Sequence, residues 1–271
     1  MPRREDFDLN GTLALVTGAG SGIGRAIAVE LARKGARVLA VDLHIDTAEK
    51  TAAACAEVGR EAHGLVCDVA DLAAMRVLAE EVESEHGPLD VLVNNAGVGM
   101  SARFGDMSID DWRWIRSINL DGVVHGCHVF APAMIERGRG RIVNVSSGLA
   151  YTMRATEPAY VTTKAAVLAL SRCLRADWAD SGVGVTAVCP GVISTSIIDG
   201  ARFLGDQAGT LERTRRTFRR GHPPELVARD VVVAIRRDKA VVPVGWEAKL
   251  GWWAQRMLPL SGQQAIARYG L

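Results

Sequence analysis

The stretch that most limits the fold lies at residues 12–35. Residues 12–17 read Thr-Leu-Ala-Leu-Val-Thr, a short apolar run suited to a strand buried on both faces of a parallel sheet. Gly18-Ala-Gly-Ser-Gly-Ile-Gly24 ends it. Residues 25–34 are strongly helix-forming, with apolar side chains at helical spacing and Gly35 as a stop. A strand, a glycine turn and a helix let the backbone bend sharply and come close to a phosphate, while free N–H groups at the helix start attract its charge. A dinucleotide pyrophosphate fits such a turn. The spacing departs from G-x-G-x-x-G by one residue, because position 23 is Ile; what stands is Thr17-Gly18-x-x-x-Gly22-x-Gly24.

Strand and helix patterns then alternate. A second strand at 37–41 ends in Asp42, eighteen residues past Gly24. A carboxylate there is placed to bind the adenosine ribose hydroxyls of NAD and to repel the extra phosphate of NADP, against a competing reading as a helix cap. Residues 61–69 form the next strand, with Asp68 at its end, and 70–86 a helix with Asp71 as N-cap. The strand at 89–93 runs into Asn94-Asn95-Ala96-Gly97, whose amide and small side chains can stitch neighbouring strand ends and leave the backbone near a cofactor. Ser108-Ile-Asp-Asp111 reads as a helix-start capping pattern, so its aspartates are structural, and the helix it opens carries Asn119. Strands at 141–145 and 184–189 run into Ser146-Ser147 and Pro190-Gly191, and 240–244 supplies a seventh. The fold class expected is α/β, one doubly wound Rossmann-type domain over 8–245, with a seven-stranded, mainly parallel sheet and helices on both faces.

A candidate proton-transfer centre lies at 160–164, with Ser147 thirteen residues upstream of Tyr160. A phenol titrates near ~10, so an acid/base tyrosine needs a fixed cation beside it. Residues i and i+4 share a helix face, which puts the Lys164 ammonium beneath the Tyr160 ring. At ~5 Å and an effective dielectric of ~20 the attraction is ~3 kcal/mol, enough to bring the phenol from ~10 towards ~8. Ser147 could then hold the substrate oxygen. The competing reading is a snorkelling surface lysine.

Composition excludes several other classes. The 271 residues are 48% hydrophobic and 23% charged, as expected of one sizeable core. With 32 basic against 31 acidic residues, nothing favours nucleic acid or an acidic surface as partner. Residues 1–8 are charged and no long apolar run follows, so neither a signal peptide nor a spanning helix is expected and the location predicted is cytoplasmic. The five cysteines form no Cys-x-x-Cys pair and read as reduced, buried small side chains. His125-Gly-Cys-His128 sits in a helical apolar stretch without a matching second half, so no metal is expected.

In order and spacing these motifs resemble the short-chain dehydrogenase/reductase family, in its nicotinamide-dependent branch, over roughly residues 8–196. The resemblance implies a catalytic set of Asn119, Ser147, Tyr160 and Lys164. Tyr160 would be the acid/base, Ser147 the orienter of the substrate oxygen, Lys164 both phenol tuner and ribose ligand, and Asn119 the support of a proton-relay water. Cofactor contacts would come from Gly18, Ser21, Gly22, Ile23, Gly24, Asp42, Leu43, Asp68, Val69, Asn95, Ala96, Gly97, Tyr160, Lys164, Pro190, Gly191, Ile193 and Thr195. Asp68 would meet the adenine, and Pro190-Gly191, the Ile193 backbone and Thr195 the nicotinamide. The implied activity is hydride transfer between NAD(H) and a secondary alcohol or ketone by a homodimer or homotetramer. Alternatives are an NADP-dependent carbonyl reductase and a dinucleotide-binding regulator without turnover. Val98, Met100, Leu149, Met153, Ile197 and Phe203 point to a hydrophobic small-molecule substrate.

After Thr195 the pattern weakens. Residues 196–224 are rich in Gly and Arg with little periodicity and are expected to form a mobile flap over the substrate. Arg213, Arg215, Arg216, Arg219 and Arg220 read as a solvated helix face rather than as an anion site. Residues 246–271 are expected as a helical extension, with Trp246, Leu250, Trp253 and Met257 on one face and Pro259 as a stop. From Trp246 to Leu258 such a helix would be ~20 Å long, too short to span a bilayer. Its face has three open uses: covering the protein's own substrate cleft, packing on a second subunit, or contacting a membrane interface.

Overall fold

The computed structural model describes residues 6–59 and 61–269. Seven strands form one sheet: β1 (Leu13–Thr17), β2 (Arg37–Asp42), β3 (Ala62–Val66), β4 (Val91–Asn94), β5 (Gly140–Val145), β6 (Val183–Pro190) and β7 (Val241–Val244). Their spatial order is β3-β2-β1-β4-β5-β6-β7, and every pairing is parallel. Between them run α1 (Gly22–Arg33), α2 (Ile45–Val58), α3 (Leu72–Glu81), α4 (Ile109–Arg116), α5 (Gly122–Glu136), α6 (Leu149–Thr152), α7 (Pro158–Asp177), α8 (Leu211–Arg219) and α9 (Pro224–Arg236). The expected doubly wound Rossmann-type architecture is what the chain adopts.

Successive side chains of a strand point to opposite faces, and both faces are covered here. Along β1, Ala14 and Val16 enter a core shared with Ile27 and Leu31 of α1 and Val231 and Ile235 of α9. Leu13 and Leu15 enter a second core, with Met75 of α3, Phe130 of α5 and Val167 of α7. Since β1 pairs with β2 on one side and β4 on the other, the chain reverses its course across the sheet there. Crevices in such sheets open at the carboxyl ends of the strands flanking that point, here Thr17 and Asn94.

Local capping follows the sequence. Asp71 accepts the N–H groups of Ala73 and Ala74 at 2.8 and 3.2 Å, and Ser108 and Asp111 form a capping box. The 196–224 segment carries more local structure than its weak periodicity suggests. It holds two 3₁₀ turns and α8, and Arg202–Phe203 pairs in parallel with Met100–Ser101 to make a second, two-stranded sheet. No residue of α8 is fully buried, and its half-buried face, Leu211, Thr214, Arg215 and Phe218, holds only two apolar side chains at helical spacing. Arg215 spends its charge on Asp199 and Glu212, at 3.2 and 2.7 Å.

The tail forms α10 (Trp246–Met257) and α11 (Leu260–Tyr269). Its predicted apolar face is exposed: Trp246 by 70%, Leu250 by 52%, Trp253 by 65% and Met257 by 80%. That corrects the reading in which it covers the protein's own cleft. The opposite face packs inward instead, through Ala248, Gly251 and Trp252, whose ring meets Tyr151 edge-on at 5.2 Å. Among the described residues no helix is long and apolar enough to cross a membrane.

Candidate active site

The glycine turn closes against the end of β4. Gly18 and Gly22 have φ of 61° and 51°, which other residues rarely adopt. A Cβ on Gly18 would lie 2.8 Å from Ala96 Cα, and one on Gly24 would collide with the Gly18 carbonyl. Asn95 Nδ2 donates to the carbonyls of Thr17 and Gly18, at 2.9 and 3.1 Å, while Thr17 Oγ1 accepts the N–H groups of Asn95 and Ala96. The stitching expected of residues 94–97 is thus present, and Asn94 adds a 2.8 Å bond to Asn144 on β5. Ser21 stands at the N-cap of α1 but caps no backbone N–H; its hydroxyl bonds Ser196 at 3.2 Å. The first-turn donors of Gly22, Ile23 and Gly24 therefore keep their attraction for an anion.

Asp42 closes the other end of this cradle. Its Oδ2 accepts Gly20 N–H at 2.9 Å, and its Oδ1 accepts the Thr47 hydroxyl at 3.2 Å and His44 N–H at 3.3 Å. Leu43 beside it is exposed. Asp68 accepts Ala70 N–H at 2.9 Å, and Val69 is buried, its carbonyl bonded to His125 Nδ1 at 2.8 Å. His125 is thereby turned away from Cys127, which is buried beside Asn94 and Asn144. Among the described residues no group of three or more His, Cys, Asp or Glu could hold a metal ion.

The four catalytic candidates converge beneath residues 97–98. Asn119 lies in a π-helical turn, Ser117–Asp121, and is fully buried. Its amide grips Val98 twice, Oδ1 accepting the N–H at 2.8 Å and Nδ2 donating to the carbonyl at 3.0 Å. A Cβ on Gly97 would lie 3.0 Å from Asn119 Oδ1 and 3.2 Å from Lys164 Nζ, so this glycine is what lets both approach the chain. Ser147 hydrogen-bonds the Tyr160 phenol. Lys164, 3% exposed, donates to the Val145 carbonyl at 3.0 Å.

The electrostatics differ from the expected arrangement. Lys164 Nζ stands 6.0 Å from the centre of the Tyr160 ring. Burial pushes the phenol up to about 12, outweighing the bond from Ser147, with the Glu157 carboxylate adding to the rise. Burial also brings the Lys164 ammonium down to about 8. The phenol near ~8 expected from a simple Coulomb estimate is thus not what burial gives, because the cation is desolvated along with the group it should tune.

The residues expected to face a nicotinamide are tied together through backbone. Pro190 O accepts Gly148 N–H, and Gly191 N–H donates to Val244 O, both at 2.8 Å. Ile193 is buried, and Thr195 lies against Gly22, 3.1 Å from where its Cβ would stand. A cavity of about 800 Å³ opens beside the start of α1, touching Gly22 and Thr195 but not Ser147, Tyr160 or Lys164. Sequence reasoning gave no part to Thr47, His222 or Glu247. Thr47 was findable, five residues beyond Asp42 at a helix start; His222 and Glu247 approach the site only through the tertiary fold.

Comparison with known proteins agrees with this geometry. A family model described as short chain dehydrogenase matches residues 12–202. "Probable oxidoreductase EphD" of Mycobacterium tuberculosis is 40% identical over 92% of this chain, which spans only 43% of that protein's length. D-threitol dehydrogenase of Mycolicibacterium smegmatis is 40% identical, over 84% of this chain and 88% of that one. A short chain dehydrogenase/reductase of Burkholderia phymatum, solved in complex with NAD, superposes with a TM-score of 0.86 at 28% identity, over 98% of both chains. The chain belongs to the short-chain dehydrogenase/reductase family of oxidoreductases.

Proposed function

We propose that this oxidoreductase transfers a hydride between NAD(H) and a secondary alcohol or its ketone. The observation that carries the reading is the meeting of Tyr160, Ser147, Lys164 and Asn119 at the crevice whose other wall is the glycine turn. An uncapped helix start, glycines where only backbone fits, and a carboxylate at the end of β2 suit a dinucleotide. A bound nicotinamide supplies the hydride acceptor or donor. Ser147 orients the substrate oxygen, and Tyr160 takes its proton in oxidation or delivers one in reduction. Lys164 balances the phenolate, and Asn119 holds the Val98 backbone at the edge of the cleft and supports a relay water.

Asp42 supports NAD over NADP, since its carboxylate would face the 2′-phosphate of the latter. The unmutated protein is expected to prefer NADH, and Asp42→Ala to narrow the preference by ~10-fold or more, a change of ~1.4 kcal/mol. Equal rates with NADH and NADPH before mutation would sink the assignment.

Two substrate classes have support. The Tyr160 ring packs with Val98, Met107 and Leu204 against Met100, Ala102, Ile115 and Ala159, an apolar wall that suits a hydrophobic alcohol. The D-threitol dehydrogenase relative favours a polyol instead. Steady-state rates with aryl or alkyl secondary alcohols against D-threitol decide between them; faster turnover of the polyol would overturn the hydrophobic reading. The exposed Trp246, Leu250, Trp253 and Met257 face supports a homodimer or homotetramer, which sedimentation velocity tests directly.

A further inference from the structure

We infer that Glu247 and His222 form a clasp that sets the backbone of residues 190–195 against the nicotinamide position, which makes both of them positioning residues. The inference rests on the dinucleotide reading above. Glu247 lies in the first turn of α10, yet it is not spent on its own helix alone. Its Oε1 accepts Val192 N–H at 2.8 Å and its Oε2 meets His222 Nε2 at 3.0 Å. His222 completes the loop from the other side: its N–H donates to Val192 O at 2.9 Å and its carbonyl accepts Ser194 N–H at 2.8 Å. Both backbone polar groups of Val192 are thus held by these two residues.

The surroundings are shaped for that contact. A Cβ on Gly191 would stand 2.6 Å from Glu247 Oε1. Gly245 has φ of 90°, and a Cβ there would lie 2.9 Å from the His222 ring. Glycines on both sides therefore let the carboxylate and imidazole reach the loop. The same start of α10 also holds the segment after Ser147, since Tyr151 Oη donates to Ala248 O at 2.8 Å, while Pro190 O at the end of β6 accepts Gly148 N–H. One helix end thus fixes the loop behind the nicotinamide and the wall beside the substrate oxygen. Its role as a helix-dipole carboxylate accounts for neither the Val192 bond nor the His222 bond.

Burial works against the Glu247 carboxylate, but hydrogen bonds from its own backbone, Val192 and His222 prevail and hold it below the usual carboxylate range. It is therefore charged when it grips the loop, and charge-assisted bonds are about twice as strong as neutral ones.

The test compares Glu247→Ala, Glu247→Gln and His222→Gln in the full chain. Three quantities are measured: amide exchange across 190–195, NAD affinity by calorimetry, and kcat against KM for the alcohol. Glu247→Ala is expected to speed Val192 exchange by ~10-fold or more and to lower kcat by ~10-fold or more, with alcohol KM within ~3-fold, because misalignment acts on the reacting geometry. Glu247→Gln keeps an acceptor for Val192 and should recover most of both. His222→Gln leaves the Val192 N–H bond in place and should raise exchange by a smaller factor, which keeps the clasp testable if the alanine variant does not fold. Unchanged exchange and kcat in Glu247→Ala, a glutamine variant no better than alanine, or an unaltered His222→Gln would each overturn the clasp. Wild-type protein that neither binds NAD nor transfers hydride would instead refute the functional reading, and Val192 exchange would still decide whether the clasp exists.

Discussion

Tyr160→Phe is expected to lower turnover by ~10²-fold or more while leaving NAD affinity nearly unchanged, because only the proton-carrying oxygen is removed. The ring should stay where it is, against Met100, Ala102, Ile115 and Ala159. Retention of more than about a tenth of the wild-type rate would exclude Tyr160 as the acid/base. The buried phenol also fixes a pH signature. Held up to about 12 by burial, it carries its proton at neutral pH, the form that reduction requires. Oxidation requires the phenolate, so alcohol oxidation should climb from pH 7 to about 8, above which the Lys164 ammonium that balances the phenolate is lost, while ketone reduction does not climb. An oxidation rate that stays flat over that interval would contradict a tyrosine base.

The strands and the first glycine turn were legible because each strand is buried on both faces and reads as a short apolar run. Ala14, Leu15 and Val16 are fully buried, so no solvent-facing position interrupts β1. The positions of the candidate site residues were legible because they stand at strand ends or at helical spacing, where local sequence dictates position: Asp42 ends β2, and Tyr160 and Lys164 share α7. What sequence could not give is the balance of long-range terms. Helical spacing correctly put Lys164 below Tyr160, but whether the cation tunes the phenol depends on how much water both lose, and that is set by β5, β6 and residues 97–98. Segment 196–224 was harder to read because α8 is nine residues long and its half-buried face holds only Leu211 and Phe218 as apolar side chains, too few to stand out among the arginines. The tail helix was found, with its use left open among three, of which the exposed face removes one. Periodicity identifies an apolar face without saying whether a neighbour covers it, and Trp252 rather than Trp246 or Trp253 turned inward.

Lys164→Met is expected to trade activity for stability, and the exchange should depend on pH. With the ammonium 6.0 Å from the ring centre, its loss removes the cation beside the developing phenolate and should slow oxidation below pH 8. Stability moves the other way. Burial brings the Lys164 amine from 10.5 to about 8, so the folded chain binds fewer protons than the unfolded chain between those values. Stability therefore rises with pH across that window: the cost of burying the charge is full below about 8 and has gone above 10.5. Methionine never bears that cost, which amounts to ~3 kcal/mol. It does leave Val145 O without its 3.0 Å partner, a loss of ~1–3 kcal/mol. The variant should then be more stable than wild type by ~1 kcal/mol at pH 7. Toward pH 10.5 it should fall behind, as the wild-type amine becomes neutral in both states. Urea denaturation of both proteins at pH 7 and pH 10 measures the crossing; a stability difference that does not change with pH would mean that Lys164 is not a buried, desolvated cation.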